Sequence, residues 1–162
     1  DAASLYGNGN VEPNNSREDF PMIDIENKVL SVVREAVLAK YPTASVYGEY
    51  VETPETFPCV TVVEDTNYTY VYTKDEQLME HQCEVQYSVN VYSDKQTGAK
   101  LEARAILAVA DEAMQNMKFW RTMSRQVPNV DRTIYRVIAR YRAVIGEPTQ
   151  VGNDLVYKIY QI

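Results

Sequence analysis

Three kinds of side chain in this sequence could carry chemistry: one histidine, two cysteines, and a set of arginines at alternate positions. His81 opens a predicted strand and has no second histidine with which to build a metal site or a proton relay. Cys59 and Cys83 stand apart, in no CxxC spacing, each inside a predicted strand where a thiol serves as a small buried hydrophobe. That usage fits a reducing compartment. Gly7-Asn8-Gly9 has no strand before it and does not match a phosphate loop, and no GxSxG is present. Asp75-Glu76 and Asp111-Glu112 read as solvated surface, because a catalytic acid needs burial or a charged neighbour to move its pKa. The sequence thus predicts no catalytic residue, no metal site and no cofactor. The expected protein is not an enzyme. The arginines remain, and what they can do is bind.

Arg136, Arg140 and Arg142 lie in a stretch of strict alternation. Tyr135, Val137, Ala139, Tyr141, Ala143 and Ile145 point one way; Ile134, Arg136, Ile138, Arg140, Arg142 and Val144 point the other. A period of two is that of a strand with two different faces. The first face is core. The second mixes three arginines with Ile134, Ile138 and Val144, which a purely solvated face does not need. Either it is a subunit contact, with acidic groups supplied by a neighbour, or it is a half-exposed strand whose arginines snorkel and pair with Glu84 on an adjacent strand. A second candidate surface comes from Tyr68, Tyr70 and Tyr72, which alternate with Thr69 and Val71 ahead of a polar break at 74–77. Residues 59–92 read as a long antiparallel hairpin whose tip, 66–80, overshoots the domain. Such aromatic rows dominate interfaces, and the alternative is a hairpin packed on its own sheet.

The 162 residues suffice for one domain or one domain with an arm. A hydrophobic content of 45% supports a core without disulfides, and a net charge of −7 argues against a general nucleic-acid binder. No apolar run approaches the roughly 18 residues of a membrane span. Residues 1–21 are polar and cannot bury enough apolar area to fold alone. They are expected to form an extended arm along another chain, ahead of a single domain over 22–162, with Met22 a plausible internal start.

The elements that position these residues can be read in order. Residues 24–41 form a helix that Asp24 caps and Pro42 ends, with Ile25, Val29, Val32, Val33, Ala36 and Val37 as its core stripe. Strands follow at 44–52, 59–65 and 67–72. The strand at 82–92 turns Cys83, Val85, Tyr87, Val89 and Val91 inward. Ser93-Asp94 caps a second helix at 96–118, with an alanine-rich stripe. A polar turn with Pro128 then leads to the arginine strand. A turn at Gly146-Glu147-Pro148 and a hairpin turn at 152–154 precede a last strand, 155–162. Strands in runs rather than alternating with helices imply an α+β fold: an antiparallel sheet flanked by two main helices, with a protruding hairpin.

From Met22 to Ile162 this order resembles the tail-completion, or tail-terminator, proteins of long-tailed bacteriophages and related tail-like particles. The resemblance lies in the helix–strand–Pro link running into CVTVVED, in HQCEVQYSVNVYSD leading into TGAKLEARAILAVADEAM, and in Phe119-Trp120-Arg121-Thr122 ahead of the strand from Val130-Asp131 to Tyr141. The arm has no counterpart in that pattern. The resemblance implies a structural virion protein, assembled in the host cytoplasm, that forms a ring, six-fold in this family, at the head-proximal end of the tail. Such a ring halts tube polymerisation and contacts the tail tube protein below and the neck or connector protein above. It implies no membrane and no sequence-specific nucleic acid. The alternatives are a neck or head-to-tail joining protein one ring higher, or a small cytoplasmic enzyme or ligand-binding domain on a similar sheet.

Overall fold

The computed structural model describes residues 22–69 and 82–160. The arm 1–21, the hairpin tip from residue 70 with Tyr70 and Tyr72, His81, and the last two residues lie outside them. The elements run α1 (Glu26–Lys40), β1 (Ser45–Tyr47), β2 (Cys59–Thr69), β3 (Gln82–Ser93), α2 (Ala99–Asn116), β4 (Trp120–Val127), β5 (Tyr135–Val151) and β6 (Asp154–Tyr160). This is the expected α+β class.

The sheet runs β1-β2-β3-β5-β4, and β6 continues along β5 beyond the end of β4. Its ladders are antiparallel except for β1, which pairs in parallel with β2. The expected all-antiparallel sheet is therefore mixed at one edge. The strand expected at 44–52 is cut to three residues because the chain leaves the edge at Gly48. A Cβ there would sit 2.7 Å from Leu30 Cδ2, so a larger residue at this close approach to α1 would require the Leu30 side chain to shift.

One face of the sheet carries both helices. Val29, Val33 and Val37 of α1 pack toward β2 and α2, and Ala103, Ile106, Ala110 and Met114 of α2 pack on alternate residues of β3 and β5, all fully or nearly fully buried. Fully burying such a side chain contributes about 1.5–3 kcal/mol, so this layer holds the fold together. The N-cap of α1 falls on Ile25 rather than on the expected Asp24, whose carboxylate instead accepts the Glu26 amide at 3.0 Å in a turn just ahead of the helix. The cap predicted at Ser93-Asp94 does not form. α2 starts after Gly98, which is at φ +84, while the buried Ser93 hydroxyl donates to Glu102.

The C-terminus of α2 is closed by Phe119 N–H to the Met114 carbonyl and Lys118 N–H to the Gln115 carbonyl, with Lys118 left-handed at φ 74. This crossed pair of bonds is the Schellman arrangement. It drops Phe119 into the core, edge-on to Tyr87 with ring centroids 5.5 Å apart.

Two further expectations are corrected. Residues 120–127, where the sequence predicts no strand, form edge strand β4; wet on nearly every residue, it shows no alternation. The turn itself is confined to 128–134. Gly146-Glu147-Pro148 does not end β5 either. The register slips between Ile145 and Pro148, a bulge that accommodates a residue with no N–H to donate, and the strand runs on to Val151. The hairpin turn at Gly152 is found as expected, with φ +62.

Candidate interaction surfaces

The face of the sheet away from the helices holds the predicted residues. Directly paired residues share a face. The register therefore lays Glu84, Gln86, Ser88, Asn90 and Tyr92 of β3 beside Arg136, Ile138, Arg140, Arg142 and Val144 of β5. Trp120, Met123 and Arg125 of β4 flank these on the far side.

Tyr68 belongs to the same face. It sits opposite Glu84 and is 61% exposed. A period of two counted from Cys59 would have placed it with Val60 and Val62 under the helices. The register shift between Glu64 and Thr66 makes Asp65 an extra residue and moves Tyr68 to the other side. Tyr68, the one described residue of the tyrosine row, thus shares the face of the arginines.

The arginines differ in their partners. Arg142 donates through Nε (2.8 Å) and a terminal nitrogen to Glu84, so the within-chain pairing is the one that forms here. Arg136 donates to Asn90 Oδ1 at 3.1 and 2.9 Å, with its guanidinium 5.3 Å from the centre of the Tyr92 ring. Ile138 is already 7% exposed and gains little from a covering neighbour. Arg140 is exposed and, among the described residues, meets no carboxylate.

Among the described residues no three His, Cys, Asp or Glu side chains converge as a metal site would. Burial pushes the Cys59 thiol up to about 11, far from a reactive thiolate. Tyr87 and Tyr141 are raised well above the phenolic range, first by burial and then by donating to Glu64 and Asp111. A cleft of about 280 Å³ lies between residues 50–54 and 128–136. Asp131 there is held below its usual range by the Thr133 hydroxyl and amide, so it is a poor general acid.

Sequence reasoning missed two surfaces. The β5–β6 hairpin exposes Val151, Leu155, Val156 and Tyr160. The signal was present: apolar residues occupy both faces of 155–160, where a strand covered on one side would alternate with polar ones. At the β1 edge a groove of about 460 Å³ is lined by Leu30, Tyr47 and Tyr50 together with Glu26 and Glu49. It depends on the exit at Gly48, which no periodicity announces. No helix among the described residues is long and apolar enough to cross a membrane.

A search among curated proteins finds no match. Among solved structures, a chain of the "Virion of native gene transfer agent (GTA) particle" shares the fold, with a TM-score of 0.54 and 16% identity over 73% of this chain and 91% of that one. The profile described as "Tail completion protein gp17" matches residues 29–146, from the first buried valine of α1 to the bulge in β5. This span contains the helix-covered core and nearly all of the open face, and the chain belongs to the tail completion protein gp17 family, a family of structural proteins of the phage tail.

Proposed function

We propose that this protein closes the head-proximal end of a phage tail as a ring, expected to be hexameric, that stops tube polymerisation and joins the tail to the neck or connector. As a tail structural protein it is a component of the virion and assembles with other tail proteins. The observation that carries the finer reading is the open sheet face. Tyr68, Arg136, Arg140 and Arg142 lie on one face of the sheet with no helix over it among the described residues; Tyr68 is exposed there, and Arg140 is exposed and meets no carboxylate among those residues. The hairpin carrying Tyr68, Tyr70 and Tyr72 is assigned to a neighbouring subunit or the tube below. Residues 1–21 are assigned as an arm along another chain, and 22–162 as the single domain.

The test is imaging of tails assembled with and without this protein. Density of six-fold symmetry at the tube end, and irregular overlong tubes in its absence, is the expected result. Density one ring higher, against the head, assigns it instead as a neck protein. A tail of normal length with no density for it overturns the reading.

A further inference from the structure

A closed ring is built from heterologous contacts, in which one patch meets a different patch on the next copy. The register puts Tyr68 on the same face as the arginines, so a different patch is needed as the counterpart of that face. We propose that it is the groove between α1 and β1, and that in the ring this groove receives the β4 edge of the next copy. The proposal rests on the ring reading above.

β1 and β4 are the opposite edges of the sheet. Charge is divided between them. Residues 119–145 contain six arginines and one carboxylate, Asp131, in a chain whose net charge is −7. Arg121 is engaged by Asp111, Arg142 by Glu84 and Arg136 by Asn90. Arg125 and Arg140 are exposed on the open face without a carboxylate among the described residues, beside Met123 and a Trp120 that is 48% exposed.

The other edge is the converse. Residues 22–69 hold eight carboxylates against three basic residues. Of those three, only Arg34 lines the groove, and its guanidinium donates to the Val46 carbonyl at 2.9 Å rather than to an acid. Glu26 is held above its usual range by partial burial and then by Glu64, Asp24 and Glu49. Glu26 and Glu49 crowd one another and form no ion pair among the described residues. The groove between them is apolar where Leu30, Tyr47 and Tyr50 line it.

An exposed tryptophan flanked by arginines on one edge and a tyrosine-lined groove flanked by glutamates on the other are complementary in shape class and in charge. Aromatic residues and arginine are the groups that dominate interface cores. A second copy of this chain supplies both halves. Because the two edges are on opposite sides of one rigid sheet, copy follows copy head to tail.

The experiment uses the full chain, with tail tubes present if the wild type needs them to assemble. Variant one is Arg125→Glu with Arg140→Glu; variant two is Glu26→Lys with Glu49→Lys. All four side chains are exposed, and circular dichroism and Tm confirm folding. Each variant alone is expected to need about 100-fold more protein to form rings. Mixed in equal amounts they regain rings of alternating subunits, since each then offers the charge the other lacks. Wild-type rings with both variants assembling normally would overturn the assignment of the edges and leave the ring standing. Loss without rescue on mixing would show that the arginines face another protein, such as the tube, and would also overturn it. A wild type that forms no ring under any condition removes the ring reading and this inference with it.

Discussion

Tyr141 and Arg142 are neighbours in the chain and sit in different media. Tyr141 is fully buried under α2, where its hydroxyl donates to Asp111 at 2.7 Å. Arg142 lies on the open face, half-buried, its charge met by Glu84 at the surface. Phe119 and Trp120 repeat the contrast one strand over: the first is locked against Tyr87, the second is half exposed. The helix-covered face is complete within one chain. On the open face Arg136 and Arg142 are partnered, while Arg140 meets no carboxylate among the described residues. Stability is therefore expected to come mainly from the helix-covered face.

Substitutions at neighbouring positions test this division. Phe119→Ala should cost about 3–5 kcal/mol in chemical denaturation, because it empties a fully buried site. Trp120→Ala next to it should change monomer stability by no more than about 0.5 kcal/mol. Equal losses at the two positions would break the comparison.

A smaller effect is expected across the open face. A double-mutant cycle on Glu84→Gln and Arg142→Ala should give a coupling of about 1 kcal/mol or less, since both side chains keep access to water. Arg140→Ala should leave Tm unchanged. A coupling of several kcal/mol would mean that this face, too, holds the subunit together.

The rim of α1 offers a pH test. Folding raises the Glu26 pKa above 4.5, so the native state binds that proton more tightly than the unfolded chain. This contribution therefore disfavours folding once pH rises through the window above 4.5, and it vanishes below it. Glu26→Gln should raise Tm slightly at pH 7 and not at all at pH 3.5. The opposite pattern would show that a cation already meets this carboxylate.

The smallest expected signal is no signal. Cys59 and Cys83 are fully buried, and the Cys59 thiol titrates only near 11. Neither should react with a thiol reagent at pH 8 until denaturant is added. Rapid labelling of Cys59 in the native protein would show that its corner of the open face is loosely covered.

How much of this could be read in the sequence depended on whether a segment has two different surroundings. β3 and β5 do, and the inward sets Cys83 to Val91 and Val137 to Ile145 are buried as the alternation said. The valine stripe of α1 and the alanine stripe of α2 were legible for the same reason. β4 has water on both faces and carried no period at all. Tyr68 was misplaced in principle by any count of alternation, because one bulged residue, Asp65, reverses every position after it. The pairing of Arg142 with Glu84 was readable only as one of two options, since choosing between them requires the register of strands far apart in the chain.

That distance governs how the molecule comes together in time. Glu84 and Arg142 are 58 positions apart and Asn90 and Arg136 are 46, yet β3 and β5 are neighbours at the centre of the sheet. No local hairpin can form this pair. The chain between them, α2 and β4, must be laid down before the central ladder can close, and the entropy of that loop is lost before any central contact compensates. Folding is then expected in the millisecond-to-second range typical of sheets with remote pairing, slower than a helical bundle of equal size. Until β5 docks, β3 is left with an unpaired edge of twelve residues rich in valine and tyrosine. Newly made subunits are at their most aggregation-prone in that interval, before any of them reaches a tail.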